Sequence, residues 1–130
     1  MTTSLEVEMI FRQEGISYTF VAENRWLVAH QGHEIIIRHD EEGQWLTFVV
    51  AISPVPPSEP RGLFRFLLEA NWEVPCGAFA IYPESDEIVF TDQIPTEDLD
   101  SVELLASLNS CAHIIERYAG RIRSLVREIS

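Results

Sequence analysis

Apolar positions along the chain change their period several times, and each change marks an element. Near the start, Val7, Ile10 and Phe11, with Leu5 and Met9 beside them, keep helical spacing behind Thr3-x-x-Glu6, a capping-box pattern. A first helix over about residues 4–14 is expected to end at Gly15. Ile16, Tyr18 and Phe20 then alternate with Ser17 and Thr19, which suits a short strand. Residues 26–30, 34–39 and 44–52 read as three strands, joined at Gln31-Gly32 and Glu41-Glu42-Gly43. Ile35-Ile36-Ile37 is β-branched on both faces, as in a strand covered on both sides. In the last of the three, Leu46, Phe48, Val50 and Ile52 share one face, and Trp45, Thr47, Val49 and Ala51 the other. These three strands are expected to form an antiparallel meander.

Pro54, Pro56, Pro57 and Pro60 make residues 53–60 a stiff, extended connector. Ser58 is placed to cap a second helix with Pro60 in its first turn, running to about Trp72. Pro75 and Gly77 break it. Residues 78–82 and 87–91 pair as a hairpin around Pro83-Glu84-Ser85-Asp86, closed by Pro95. The last helix begins near Asp100 in an Asp100-x-x-Glu103 cap and runs nearly to the end, with Gly120 as a soft point. The order is α-β-β-β-α-β-β-α. Strands grouped rather than alternating with helices make the class α+β, an antiparallel sheet with helices packed on it, in one domain over residues 1–130.

The second helix carries the functional argument. Arg61, Arg65, Glu69 and Glu73 fall on a single i+4 row, and Arg65 can pair with Glu69 along it. Leu63, Phe64, Phe66, Leu67, Leu68 and Ala70 fill the rest, an arc of roughly 200° against the ~100° stripe of a one-sided surface helix. One sheet face cannot cover that arc. A second copy of the chain is the expected cover, since two-fold homodimers are the commonest oligomer; the last helix or the proline connector is the alternative. Leu63, Phe64, Phe66, Leu67, Leu68 and Trp72 are therefore the expected dimer or partner contacts. The last helix is more ordinary, with Leu104, Leu108, Cys111, Ile115, Tyr118, Ile122, Val126 and Ile129 on one broad face.

Charge narrows the partners. The net charge of −12 repels phosphate backbones and anionic lipid, so neither nucleic acid nor a membrane is an expected partner. Arg117, Arg121, Arg123 and Arg127 sit near the negative end of the last helix, which suits its dipole. No apolar run is long enough to cross a bilayer and no secretory signal opens the chain, so the cytoplasm is the expected location.

Reacting groups are scarce. All nine basic residues are arginine, which leaves no amine for Schiff-base chemistry and no P-loop lysine. Cys76 and Cys111 lack metal or redox spacing and read as small buried apolar residues. His30-x-x-His33, with His39-Asp40 beyond, is the nearest thing to a metal pattern. It spans a turn without a third ligand, so solvated histidines are expected. The acidic groups at 40–42, 84–87 and 97–100 lie in turns or at a helix start and do not match a calcium loop. No enzyme activity and no cofactor are expected.

The run LFRFLLEANWEVPCGAFAIYPESDEIVFTDQIP, followed by DLDSVELLASLNSCAHIIERY, resembles the YbjN-like and type III secretion chaperone-like proteins, with a cyanobacterial branch as the expected source. The resemblance covers roughly residues 59 to 128 well and the first half by topology. It implies a chaperone-like α+β fold, usually dimeric, that binds an extended segment of another protein and has no catalytic residues to carry over. Self-association and an unknown protein or peptide segment are thus the expected partners. The alternative is a small-ligand regulatory domain with a pocket between the sheet and the last helix.

Overall fold

The structure is a computed structural model that describes residues 1–58 and 61–128, with the side chain of Arg61 also outside the description. The expected first-turn role of Pro60 and the place of Ile129 on the last helix lie outside the described residues. The elements run α1 (Ser4–Gln13), β1 (Ser17–Ala22), β2 (Arg25–His30), β3 (His33–Asp40), β4 (Trp45–Pro54), α2 (Arg61–Glu73), β5 (Ala78–Tyr82), β6 (Glu87–Pro95) and α3 (Ser101–Arg127). The α+β class stands. The segment read apart from the meander is its first strand, so four strands precede α2. All six strands form one antiparallel sheet in the order β1-β2-β3-β4-β6-β5, which leaves β1 and β5 at the edges.

Local chemistry sets these boundaries. The Thr3 side chain and the Glu6 carboxylate cap α1 reciprocally, and Gly15 in the left-handed region ends it. Gln31 and Gly32 both have positive φ, the twist that a two-residue hairpin needs. Gly77 (φ +74°) is required for a second reason. A Cβ there would come within 2.6 Å of the Thr91 carbonyl oxygen and of the Phe90 ring. The Asp100 side chain accepts from the Glu103 N–H at 2.8 Å and starts α3, which runs through Gly120 unbroken.

One face of the sheet meets the helices. Trp26, Val28, Ile35, Ile37, Leu46, Phe48, Ile88 and Phe90 point to it and pack on Val7 and Phe11 of α1, Leu63 of α2, and Leu104, Leu108 and Ile122 of α3. Phe11 meets the Trp26 ring edge to face at 5.4 Å, and the Trp26 indole N–H donates to Glu8 at 2.8 Å. Strand phase also corrects the histidine reading. Counted with Ile35 and Ile37, His39 is an inward position of β3, and it is buried rather than solvated. His30 and His33 are half-buried and bond to α3, at Asn109 (2.7 Å) and Glu116 (3.3 Å). Cys111 is buried as expected, but Cys76 is exposed because it lies in the Pro75–Gly77 turn, outside both elements.

Candidate partner-binding surface

The apolar arc of α2 is only partly covered by its own chain. Leu63, Leu67 and Ala70 are buried, and Phe66 packs edge to face on Tyr118 of α3 at 6.2 Å. The Tyr118 hydroxyl donates to Glu73 at 3.1 Å and ties the end of α2 to α3. So α3 takes the side that a second copy was expected to take, and Leu63, read as a contact residue, belongs wholly to this chain's core. Beyond α3's reach, Leu68 is 71% exposed and Trp72 91%. At about 100° per residue, Leu68, Trp72, Arg65 and Glu69 share the outer face of α2. Arg65 donates to Glu69 at 2.7 Å along it.

Beside that face runs a groove of about 310 Å³ between α2 and edge strand β5, lined by Phe64, Leu67, Leu68, Phe79, Ala80 and Ile81. Asn71 holds its two walls together. Its side-chain amide accepts from the Phe79 N–H at 2.6 Å and donates to the Phe79 carbonyl at 3.1 Å. That closes one outward position of the β5 edge. By strand alternation, the next outward backbone pair belongs to Ile81, whose side chain is also exposed. Of the six contact residues expected from sequence, the structure gathers Phe64, Leu67, Leu68 and Trp72 at this groove and its rim, and turns Leu63 and Phe66 away. The β5 wall was missed, because nothing local in Ala78–Tyr82 says that it is an edge.

Further exposed apolar side chains lie at the opposite edge. Leu5 and Met9 lie one turn apart on α1, and Phe20, opposite Trp26, and Val21, on the other face of the sheet, lie near the end of β1, where the pairing with β2 shifts register between Phe20 and Ala22. All four are exposed.

Among the described residues, no group of three or more His, Cys, Asp or Glu side chains could hold a metal ion. Burial pushes the Cys111 thiol up to about 12, so it stays protonated at neutral pH. No helix among the described residues is long and apolar enough to cross a membrane.

The family model CesT_Tir_1 matches residues 4–128 of the chain. No curated protein sequence matches it. Among solved structures, it is similar to a chain of the ExoU–SpcU heterodimer from the type III secretion system of Pseudomonas aeruginosa, at 18% identity and TM-score 0.66, covering 92% of this chain and 96% of that one. A chain of the HopA1–SchA chaperone–effector complex gives TM-score 0.65 at 11% identity, with 86% and 88% covered. An uncharacterized protein from Methanothermobacter thermautotrophicus gives 0.59 at 18% identity, with 98% of each chain covered. At these identities the likeness is one of fold.

Proposed function

The chain belongs to the CesT_Tir_1 family, and on that premise we propose that it is a non-enzymatic, chaperone-like protein-binding module, a homodimer that holds a segment of another protein. The observation that carries the reading is the exposure of Leu68 and Trp72 beside an apolar groove. Two copies meeting antiparallel on this face bring each Trp72 toward the other's groove, and each Arg65 toward the other's Glu69. A protruding side chain, a hollow and opposite charges on a single patch are what a two-fold contact requires. Each large apolar side chain so buried contributes about 1.5–3 kcal/mol.

Dimerisation through α2 and β5 leaves the α1–β1 edge free for the partner. There Leu5, Met9 and Phe20 offer apolar contacts, and the free side of β1 offers backbone groups to an extended segment. The fold likeness to a chain from a chaperone–effector complex supports this use. The net charge of −12 favours a basic, apolar segment over an acidic one. Cytoplasmic work without metal or cofactor fits the same reading.

Light scattering on the native chain and on Leu68→Glu tests the dimer. Screening a peptide library against the native protein and against Phe20→Asp tests the partner edge. Binders rich in apolar and basic residues that are lost with Phe20→Asp support it, and binders indifferent to that change refute it.

A further inference from the structure

The β5 edge is closed to strand pairing except at one residue, and that gap is complementary to itself. Asn71 occupies both outward backbone groups of Phe79, accepting from its N–H at 2.6 Å and donating to its carbonyl at 3.1 Å. Those two bonds fix the phase of the strand. Phe79 turns its backbone away from β6, so Ala78, Ala80 and Tyr82 turn theirs toward it and Ile81 turns its own outward. The next outward position is Pro83, which has no N–H. Within Ala78–Tyr82, the open edge is thus one donor and one acceptor on a single residue.

Side chains around the gap leave room for a strand. Ile81 shares the helix side of the sheet with Phe79, lines the groove with Phe64 and Leu68, and is 44% exposed. On the other, helix-free face, Tyr82 is drawn back over its own sheet by a side-chain strap. The Arg38 guanidinium on β3 donates to the Tyr82 hydroxyl at 2.8 Å, with β4 and β6 between those strands. Glu84 accepts from the same hydroxyl at 3.2 Å. Ala80, also on that face, adds only a methyl group.

From this geometry we infer that the second copy joins through backbone as well as side chains. Strand β5 pairs antiparallel with β5 of the partner, Ile81 opposite Ile81 of the partner subunit, and two six-stranded sheets become one. The inference rests on the dimer proposed above and adds its register. Opposite residues of such a rung exchange both N–H···O bonds, so a two-fold axis at Ile81 satisfies everything that is open. The two Ile81 side chains then meet on the helix side, beneath the contact that covers Leu68 and Trp72. An extended segment of another protein gains one rung here and no more, because Asn71 and Pro83 block the next on either side, and strand addition draws its affinity from many such bonds. A second copy brings α2 as well, with Arg65 and Glu69 to answer those of this chain.

Residue-resolved amide exchange by NMR tests the register, on the full chain at concentrations above and below those at which light scattering shows dimer. Ile81 is expected to exchange as an open amide in the monomer and about ten-fold or more slowly in the dimer, while Phe79 is protected in both by Asn71. Ile81→Pro removes the N–H that the dimer alone uses. It is expected to weaken association by about ten-fold or more, the loss of two hydrogen bonds, and Ile81→Val, which keeps the N–H, weakens it less. Circular dichroism checks that both variants fold, and if Ile81→Pro does not, exchange in the native chain carries the test. A dimer in which Ile81 exchanges as fast as in the monomer, or a folded Ile81→Pro that associates as well as Ile81→Val, overturns the register and leaves the α2 contact standing. A chain that stays monomeric at every concentration overturns both.

Discussion

The two edges of the sheet meet solvent in different ways. At the β5 edge, α2 brings a groove, a protruding Trp72 and an Arg65–Glu69 row onto one patch, while Asn71 closes part of the strand's free backbone. At the β1 edge, α1 brings an exposed row, Leu5 and Met9, and the strand ends in exposed Phe20 and Val21 beside a register shift. On the proposed reading the first edge complements itself. The second offers apolar side chains and backbone without their counterpart. Surplus apolar surface alone does not say who the partner is; whether the patch carries its own complement does.

The largest effect is expected where that complement is removed. Leu68→Glu with Trp72→Glu places four carboxylates in the two-fold contact and deletes apolar area worth about 1.5–3 kcal/mol for each side chain. The dimer is expected to weaken by well over about a hundred-fold, read by sedimentation velocity, while the thermal unfolding of the subunit changes little because both residues are exposed. A double variant that still associates like the native chain would place the dimer elsewhere.

Next comes the backbone that positions β5. Gly77→Ala combines a left-handed φ with a Cβ that would press on the Thr91 carbonyl. A loss of about 2–4 kcal/mol in chemical denaturation is expected from the two costs together. Asn71→Ala has a smaller effect on stability, about 1–3 kcal/mol for the two unmet backbone groups of Phe79. It also opens the β5 edge, so faster aggregation on standing is expected.

The β1 edge is expected to respond to acid. His39 lies behind the start of α1. Its Nδ1 is 2.8 Å from the Ser4 hydroxyl, which is also bonded to Asn24, and its Nε2 is buried without a partner. Burial holds the His39 pKa below its usual value of 6.5, against the pull of Glu41 and Asp40. The unfolded chain therefore binds this proton more readily than the folded one. The stabilisation is complete above the unfolded value and is lost as pH falls below about 6.5. Glu41 is held low by the Ser4 N–H at 2.7 Å, so its contribution persists until pH falls through the carboxylate range. Denaturation midpoints measured from pH 7.5 to 5 are expected to fall in the native chain and to fall less in His39→Gln. The smallest effect is expected from Leu5→Ser with Met9→Ser. Dimer mass is unchanged and stability moves within about 0.5 kcal/mol, since these side chains touch little in the free subunit.

Much of this was legible from periodicity. The Thr3–Glu6 cap, the Gln31-Gly32 turn, the hairpin around residues 83–86 and the over-wide arc of α2 are local features, and each is where the spacing of residues put it. What escaped depends on contacts distant in sequence. The cover of Phe66 is Tyr118, the strap over the helix-free face joins Arg38 to Tyr82, and Thr2 is held by the carbonyl of Thr96. None of these follows from composition or spacing, because register and sheet curvature bring the partners together. His39 was misread for a related reason. A polar residue near a turn is ordinarily wet, but the phase set by Ile35 and Ile37 carries it inward.

The central claim is that Leu68 and Trp72 are covered by a second copy of the same chain. Multi-angle light scattering of the untagged native protein across the micromolar range tests it most directly. The account predicts a mass of twice the 14.9 kDa chain, and a mass of 14.9 kDa throughout that range would contradict it.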